Sequence, residues 1–187
     1  VSFRRDDGPT EYSLYDTASH ELTPLFVSQP ALSDYKFAHM EDVRIPARDG
    51  LELVAYLTRA QTDKPTPMVL LVHGGPWARD FWGFNSAAQW FANRGYACLQ
   101  VNYRGSSGYG KSFLHKGDKQ WGVGTMQHDL TDAVRWAVSE GIALEDKACG
   151  MLHVACCMWH VACGVCMCMC MCMWRVHLHV HVHAHVH

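Results

Sequence analysis

His73, Gly74, Gly75 and Pro76 follow directly on the apolar run Met68, Val69, Leu70, Leu71 and Val72. A short Val/Leu run bounded by turn residues is the pattern of a fully buried strand, and glycines at its end leave backbone amides without a Cβ in front of them. Such amides suit an oxygen that gains negative charge, as a carbonyl does when a nucleophile attacks it. His73 reads as a loop-shaping residue ahead of a base. A second glycine-rich loop, Asn102, Tyr103, Arg104, Gly105, Ser106, Ser107, Gly108, Tyr109 and Gly110, ends another apolar run. Ser86, Ser106, Ser107 and Ser112 are the available hydroxyl nucleophiles nearby, with His73, His115 and His128 as bases. Each has an ordinary alternative: Ser106 and Ser107 suit turn hydrogen bonds, and His128 with Asp129 suits the first turn of a helix.

These loops need elements to hold them. Residues 12–16 and 22–26 read as a polar-edged, peripheral hairpin. Val43 and Ile45 on one arm, and Leu51, Leu53, Ala55 and Leu57 on the other, read as a second hairpin turning at Arg48, Asp49 and Gly50. After a Pro-rich link over residues 63–67 comes the strand that ends in the glycine pair. Phe84, Ala87, Ala88, Phe91 and Ala92 recur at helical spacing before Gly95, which predicts an amphipathic helix over residues 85–94. Residues 96–102 predict a further buried strand. Met126, Leu130, Ala133, Val134 and Ala137 predict a longer helix with Thr125 as N-cap and Gly141 as stop. Strands alternating with helices imply an α/β fold, a mostly parallel sheet with helices on both faces, entered by an antiparallel pair.

The His73–Pro76 loop, the Asn102–Gly110 loop and the helix segment from Asp129 to Trp136 together resemble the α/β-hydrolase domain of the prolyl oligopeptidase family of serine peptidases. The resemblance is strongest to its acylaminoacyl-peptidase and dipeptidyl-aminopeptidase members, and it runs from Tyr12 to Lys147. It implies that residues 1–38 are a remnant of the last β-propeller blade and residues 39–147 the N-terminal half of the hydrolase domain. It also implies a peptide substrate, and an oxyanion hole to which Gly74 and Gly75 contribute. Catalysis in that family needs a serine on a strand-to-helix turn, usually G-x-S-x-G, followed by an acid and a His. By the resemblance this turn should follow a strand that starts soon after Asp146 and Lys147, yet no G-x-S-x-G occurs in the chain and no Ser or Asp follows Lys147. The catalytic nucleophile, acid and base are therefore absent, and the chain is expected to be inactive alone.

Residues 148–187 have a composition of their own. They hold eight of the nine Cys and eight of the thirteen His, and Arg175 is their only fixed charge. Cys-Met repeats over residues 166–173, His occupies every second position over residues 177–187, and Ala-Cys occurs at 148, 155 and 162. The hexanucleotide GTGCAT, read in its three frames, encodes Val-His, Cys-Met and Ala-Cys. The tail is accordingly expected to be a translated nucleotide repeat, reached by a gene-model error, a frameshift or a true truncation. Residues 151–157 are apolar enough to replace the missing central strand.

The alternative is a non-enzymatic module whose Cys/His tail binds metal or a partner. Ligands at every second residue lack the paired spacing of structural zinc sites, so neither a metal site nor a cofactor is expected. Residues 151–174 are long enough to span a bilayer, but no basic cluster flanks them and no membrane segment is expected. A net charge of -2 and a pI of 6.7 give no case for nucleic acid. The start at Val1 reads as truncated, so a targeting signal is either absent or lost with a missing upstream part, and the lone Cys98 of the first 147 residues suits a reducing, cytoplasmic compartment.

Overall fold

A computed structural model describes residues 1–75, 77–121, 124–153 and 173–175. The apolar run before the glycine pair is the middle of a longer strand, and the remaining elements are arranged about it. The N-terminal strands β1 (Ser2–Phe3), β2 (Glu11–Tyr15) and β3 (Leu22–Val27) form an antiparallel three-stranded sheet. Their apolar side chains are largely exposed, although Tyr12 and Phe26 stack with centroids 4.7 Å apart. A 3-10 turn at Pro30–Leu32 follows.

The second sheet contains β4 (Met40–Pro46), β5 (Glu52–Thr58), β6 (Thr66–His73), β7 (Ala97–Asn102), β8 (Ala143–His153) and β9 (Met173–Arg175). Their spatial order is β4-β5-β7-β6-β8-β9. Parallel pairing is confined to β7, β6 and β8; β4 and β5 enter antiparallel, and β9 pairs antiparallel with β8. The β4–β5 turn falls where the sequence places it: Gly50 has φ +81°, and its amide donates to Ala47 O at 2.8 Å.

Helix α1 (Ser86–Ala92) and helix α3 (Thr125–Ser139) cover opposite faces of this sheet. The pleat divides β6 between them. Met68, Leu70 and Val72 pack with Ala133, Val134 and Ala137 of α3, whereas Val69 and Leu71 pack with Ala88 and Phe91 of α1. Asn85 caps α1 by accepting from the amides of Ala87 and Ala88, both at 3.0 Å. A short helix, α2 (Lys111–His115), has no counterpart in the sequence expectations, since five residues after an uncapped Gly110 show no periodicity. Thr125 is the first residue of α3 rather than its N-cap; Gly124 holds that place, and Gln120 Oε1 accepts from the Thr125 amide.

The two sheets meet through a buried glutamine. Gln89 Nε2 donates to Asp6 O and to Ala38 O, and its Oε1 accepts from the Ala38 amide. β8 runs across the change of composition at Lys147 and starts at Ala143, earlier than the sequence suggests. Residues 154–157 of the expected replacement strand, and the rest of the repeat apart from β9, lie outside the described residues. Among the described residues no helix is long and apolar enough to cross a membrane.

Candidate active-site loop

The glycine pair sits at the C-terminal end of β6, beside the ends of its parallel neighbours β7 and β8. In open α/β sheets that end is where ligands meet the fold. Gly75 is exposed with φ +142°, and a Cβ there would stand 2.8 Å from Trp77 N and 3.0 Å from Ala78 N. Only glycine fits this fold-back without strain. Pro76, the fourth residue of the expected loop, lies outside the described residues.

The second glycine-rich loop acts as the frame of the first. The Tyr103 hydroxyl donates to His73 O at 3.0 Å, and the Tyr103 ring stacks on the His73 ring at 4.5 Å. The Ser107 amide donates to Ala78 O at 3.0 Å. Asn102 Oδ1 accepts from the Asp80 amide at 2.8 Å, while Asn102 Nδ2 donates to the Tyr109 hydroxyl at 2.9 Å. Arg79 donates to the same hydroxyl at 3.0 Å and lies over the Tyr109 ring at 4.5 Å. Gly108 faces this guanidinium so closely that a Cβ would come within 2.5 Å of Arg79 Nη1. His73, Ala78, Arg79 and Asp80 are thus held from β7 onward, which explains in physical terms why the two motifs belong together.

A buried ion pair fixes the frame in turn. Arg104 is buried beside the fully buried Asp129, donating to it from Nε, Nη2 and its own backbone amide. It also donates to Asp49 at 2.8 and 3.1 Å, joining the β4–β5 turn to α3. The Arg104 guanidinium pulls the Asp49 carboxyl down to about 2. Asp129 is therefore not the first-turn helix residue that the sequence suggests; it is the fifth residue of α3 and the anchor of the loop. Arg48 and Asp132 repeat the arrangement nearer the surface, at 2.7 Å.

Of the serine and histidine candidates, the structure brings together one pair among the described residues. Ser106 Oγ lies 2.9 Å from His73 Nε2. Ser106 also donates its single proton to Tyr103 O at 2.6 Å, so its contact with His73 uses Nε2–H as donor. Nδ1 lies 2.9 Å from Gly74 O, a contact that favours a second proton on the ring, but burial dominates and pushes the His73 pKa down. Ser106 is fully buried. With its proton committed and no access to solvent, it is a structural hydroxyl and not a nucleophile. Ser86, Ser112 and His128 are exposed, and His115 pairs with Asp118 at 2.9 Å. The sequence did not reveal Trp77 and Trp121, whose rings meet edge to face beside the glycine loop. Asp6, Asp7 and His39 approach one another closely enough to hold a cation, but Asp7 is already engaged by Arg5 at 3.0 Å.

Comparison with known proteins agrees with this geometry. The chain is 44% identical over 156 residues to dipeptidyl aminopeptidase BIII of Pseudoxanthomonas mexicana, a match covering 79% of this chain and 22% of that protein. It is 35% identical over 166 residues to dipeptidyl peptidase family member 6 of Caenorhabditis elegans, covering 76% and 22%. The chain thus spans 22% of the length of these curated relatives. A Mycobacterium tuberculosis puromycin-hydrolyzing peptidase superposes with a TM-score of 0.68 at 26% identity, over 79% of this chain and 23% of that one. Pyrococcus horikoshii acylaminoacyl peptidase shares the fold with a TM-score of 0.66 at 23% identity, covering 79% and 24%. The model of the prolyl oligopeptidase family matches residues 82–151, and it is to this family that the chain belongs.

Proposed function

We propose that the chain carries the oxyanion-stabilising part of a serine peptidase that releases short N-terminal units from peptides. The observation that carries this is the exposed glycine turn at the end of the central strand β6, held from behind by Tyr103, Ser107 and the Asn102–Tyr109 pair. In the proposed mechanism the substrate carbonyl enters at Gly74 and Gly75, whose amides stabilise the charge that develops on its oxygen. Donors already fixed in place lower the barrier because nothing need reorganise as the charge forms. The names of the similar proteins, dipeptidyl aminopeptidase and acylaminoacyl peptidase, support a peptide as the substrate.

The bond-breaking step needs a hydroxyl activated by a base, and among the described residues no exposed serine is paired with a histidine. No G-x-S-x-G is present, and Ser106, the serine that contacts His73, is buried. The 187-residue chain is accordingly proposed to be non-catalytic by itself. A fluorophosphonate probe tests this: no labelling is expected, and stoichiometric labelling of any serine would overturn it. The idea of a metal- or partner-binding tail falls mainly on residues outside the described ones and finds no support among the similar proteins.

A further inference from the structure

Trp77 and Trp121 meet edge to face with centroids 6.1 Å apart, yet they remain 58% and 50% exposed. Neither packs against either apolar core. An aromatic side chain buries about 150–250 Å² when fully packed, so two indoles held open together leave contact area for something else. They come from separate elements: Trp77 follows β6, and Trp121 lies between α2 and α3.

Trp77 is bound to the glycine turn by backbone geometry. The site where a Gly75 Cβ would stand is 2.8 Å from Trp77 N, so the chain folds back there and the indole is carried by the same turn as the Gly75 amide. Successive Cα atoms of a peptide are about 3.8 Å apart, so the side chains flanking a carbonyl held at this turn fall within one residue of it. We propose that Trp77 and Trp121 form an apolar wall that takes a large hydrophobic side chain flanking the scissile bond of a peptide substrate. This rests on the glycine turn being the oxyanion site. The two tryptophans are then specificity-determining residues with no part in bond breaking. A polar side chain gains little from them, because each indole offers a single donor and no acceptor.

The test uses the full chain and three peptides, N-acetyl-Phe-Ala-amide, N-acetyl-Ala-Phe-amide and N-acetyl-Ala-Ala-amide, titrated by ligand-detected NMR. At least one Phe peptide is expected to bind about tenfold more tightly than the Ala-Ala peptide, roughly what one buried aromatic contact provides. Which of the two binds identifies the acyl or the leaving side. Trp77→Ala and Trp121→Ala should each bring the binding of the Phe peptide down towards that of the Ala-Ala peptide, and Trp77→Phe should keep most of the preference. Equal binding of all three peptides, or a preference that survives both alanine variants, overturns the wall and leaves the oxyanion turn standing. No binding of any peptide removes both. Tryptophan emission that depends on protein concentration without peptide would show a second copy covering the pair, which also overturns the proposal.

Discussion

In β5, Leu53, Ala55 and Leu57 are at most 1% exposed, whereas Leu14 of β2 and Leu25 and Phe26 of β3 are 58–60% exposed. Both regions are antiparallel and both place apolar residues at alternate positions, Leu53, Ala55 and Leu57 in one and Tyr12 and Leu14 in the other. What differs is the second layer. The six-stranded sheet has α1 on one face and α3 on the other, while among the described residues no helix covers the three-stranded sheet. Alternation thus establishes that a strand has an apolar face, and only the packing of another element makes that face a core.

That contrast can be broken or sharpened by substitution, starting where the effect is greatest. Arg104→Ala leaves the buried Asp129 carboxylate unpaired and should cost about 3–5 kcal/mol, read as a fall in the urea midpoint. The double variant Arg104→Leu/Asp129→Leu should recover part of that loss, since no lone charge remains buried. Leu99→Ala, in the middle of β7, should cost about 2–5 kcal/mol by the same measurement. Asn85→Ala removes the α1 cap and should cost about 1 kcal/mol. Leu25→Ala in the three-stranded sheet should stay within about 0.5 kcal/mol. A loss at Leu25 as large as that at Leu99 would show that the exposed face has a covering layer after all.

A pH titration separates the two regions further. Burial holds the folded-state pKa of His73 below the ordinary imidazole value of 6.5, so the unfolded chain takes up the proton first. Stability should therefore be lost as pH falls below about 6.5 and be fully present above it. His73→Gln should flatten this slope in urea midpoints measured between pH 7.5 and 5.5, whatever its effect on absolute stability. An unchanged slope would mean that the imidazole is not held neutral.

Much of the six-stranded sheet was legible in the sequence because its signals are local. The apolar run of β6, the helical spacing of Ala87, Ala88, Phe91 and Ala92 and the Asp49-Gly50 turn each depend on neighbours within a few residues. The frame around the glycine loop was not legible, since most of its contacts join residues 22 to 55 positions apart. Asp129 looked like helix polarity until Arg104 was placed beside it, and Ser106 looked like turn chemistry, which it proved to be, with His73 as an additional partner. The aromatic pair escaped because nothing in the spacing of Trp77 and Trp121 predicts that they touch.

β8 carries a further consequence, in evolutionary terms. Ala148 packs with the α3-side core, whereas Cys149 and Met151 pack with the α1-side core. A dipeptide repeat automatically sends one residue type to each face of a strand. The slot beside β6 selects for backbone pairing and modest size, criteria that almost any uncharged alternating segment meets. Newly coding DNA that happens to encode such an alternation can therefore inherit a place in an old sheet at once.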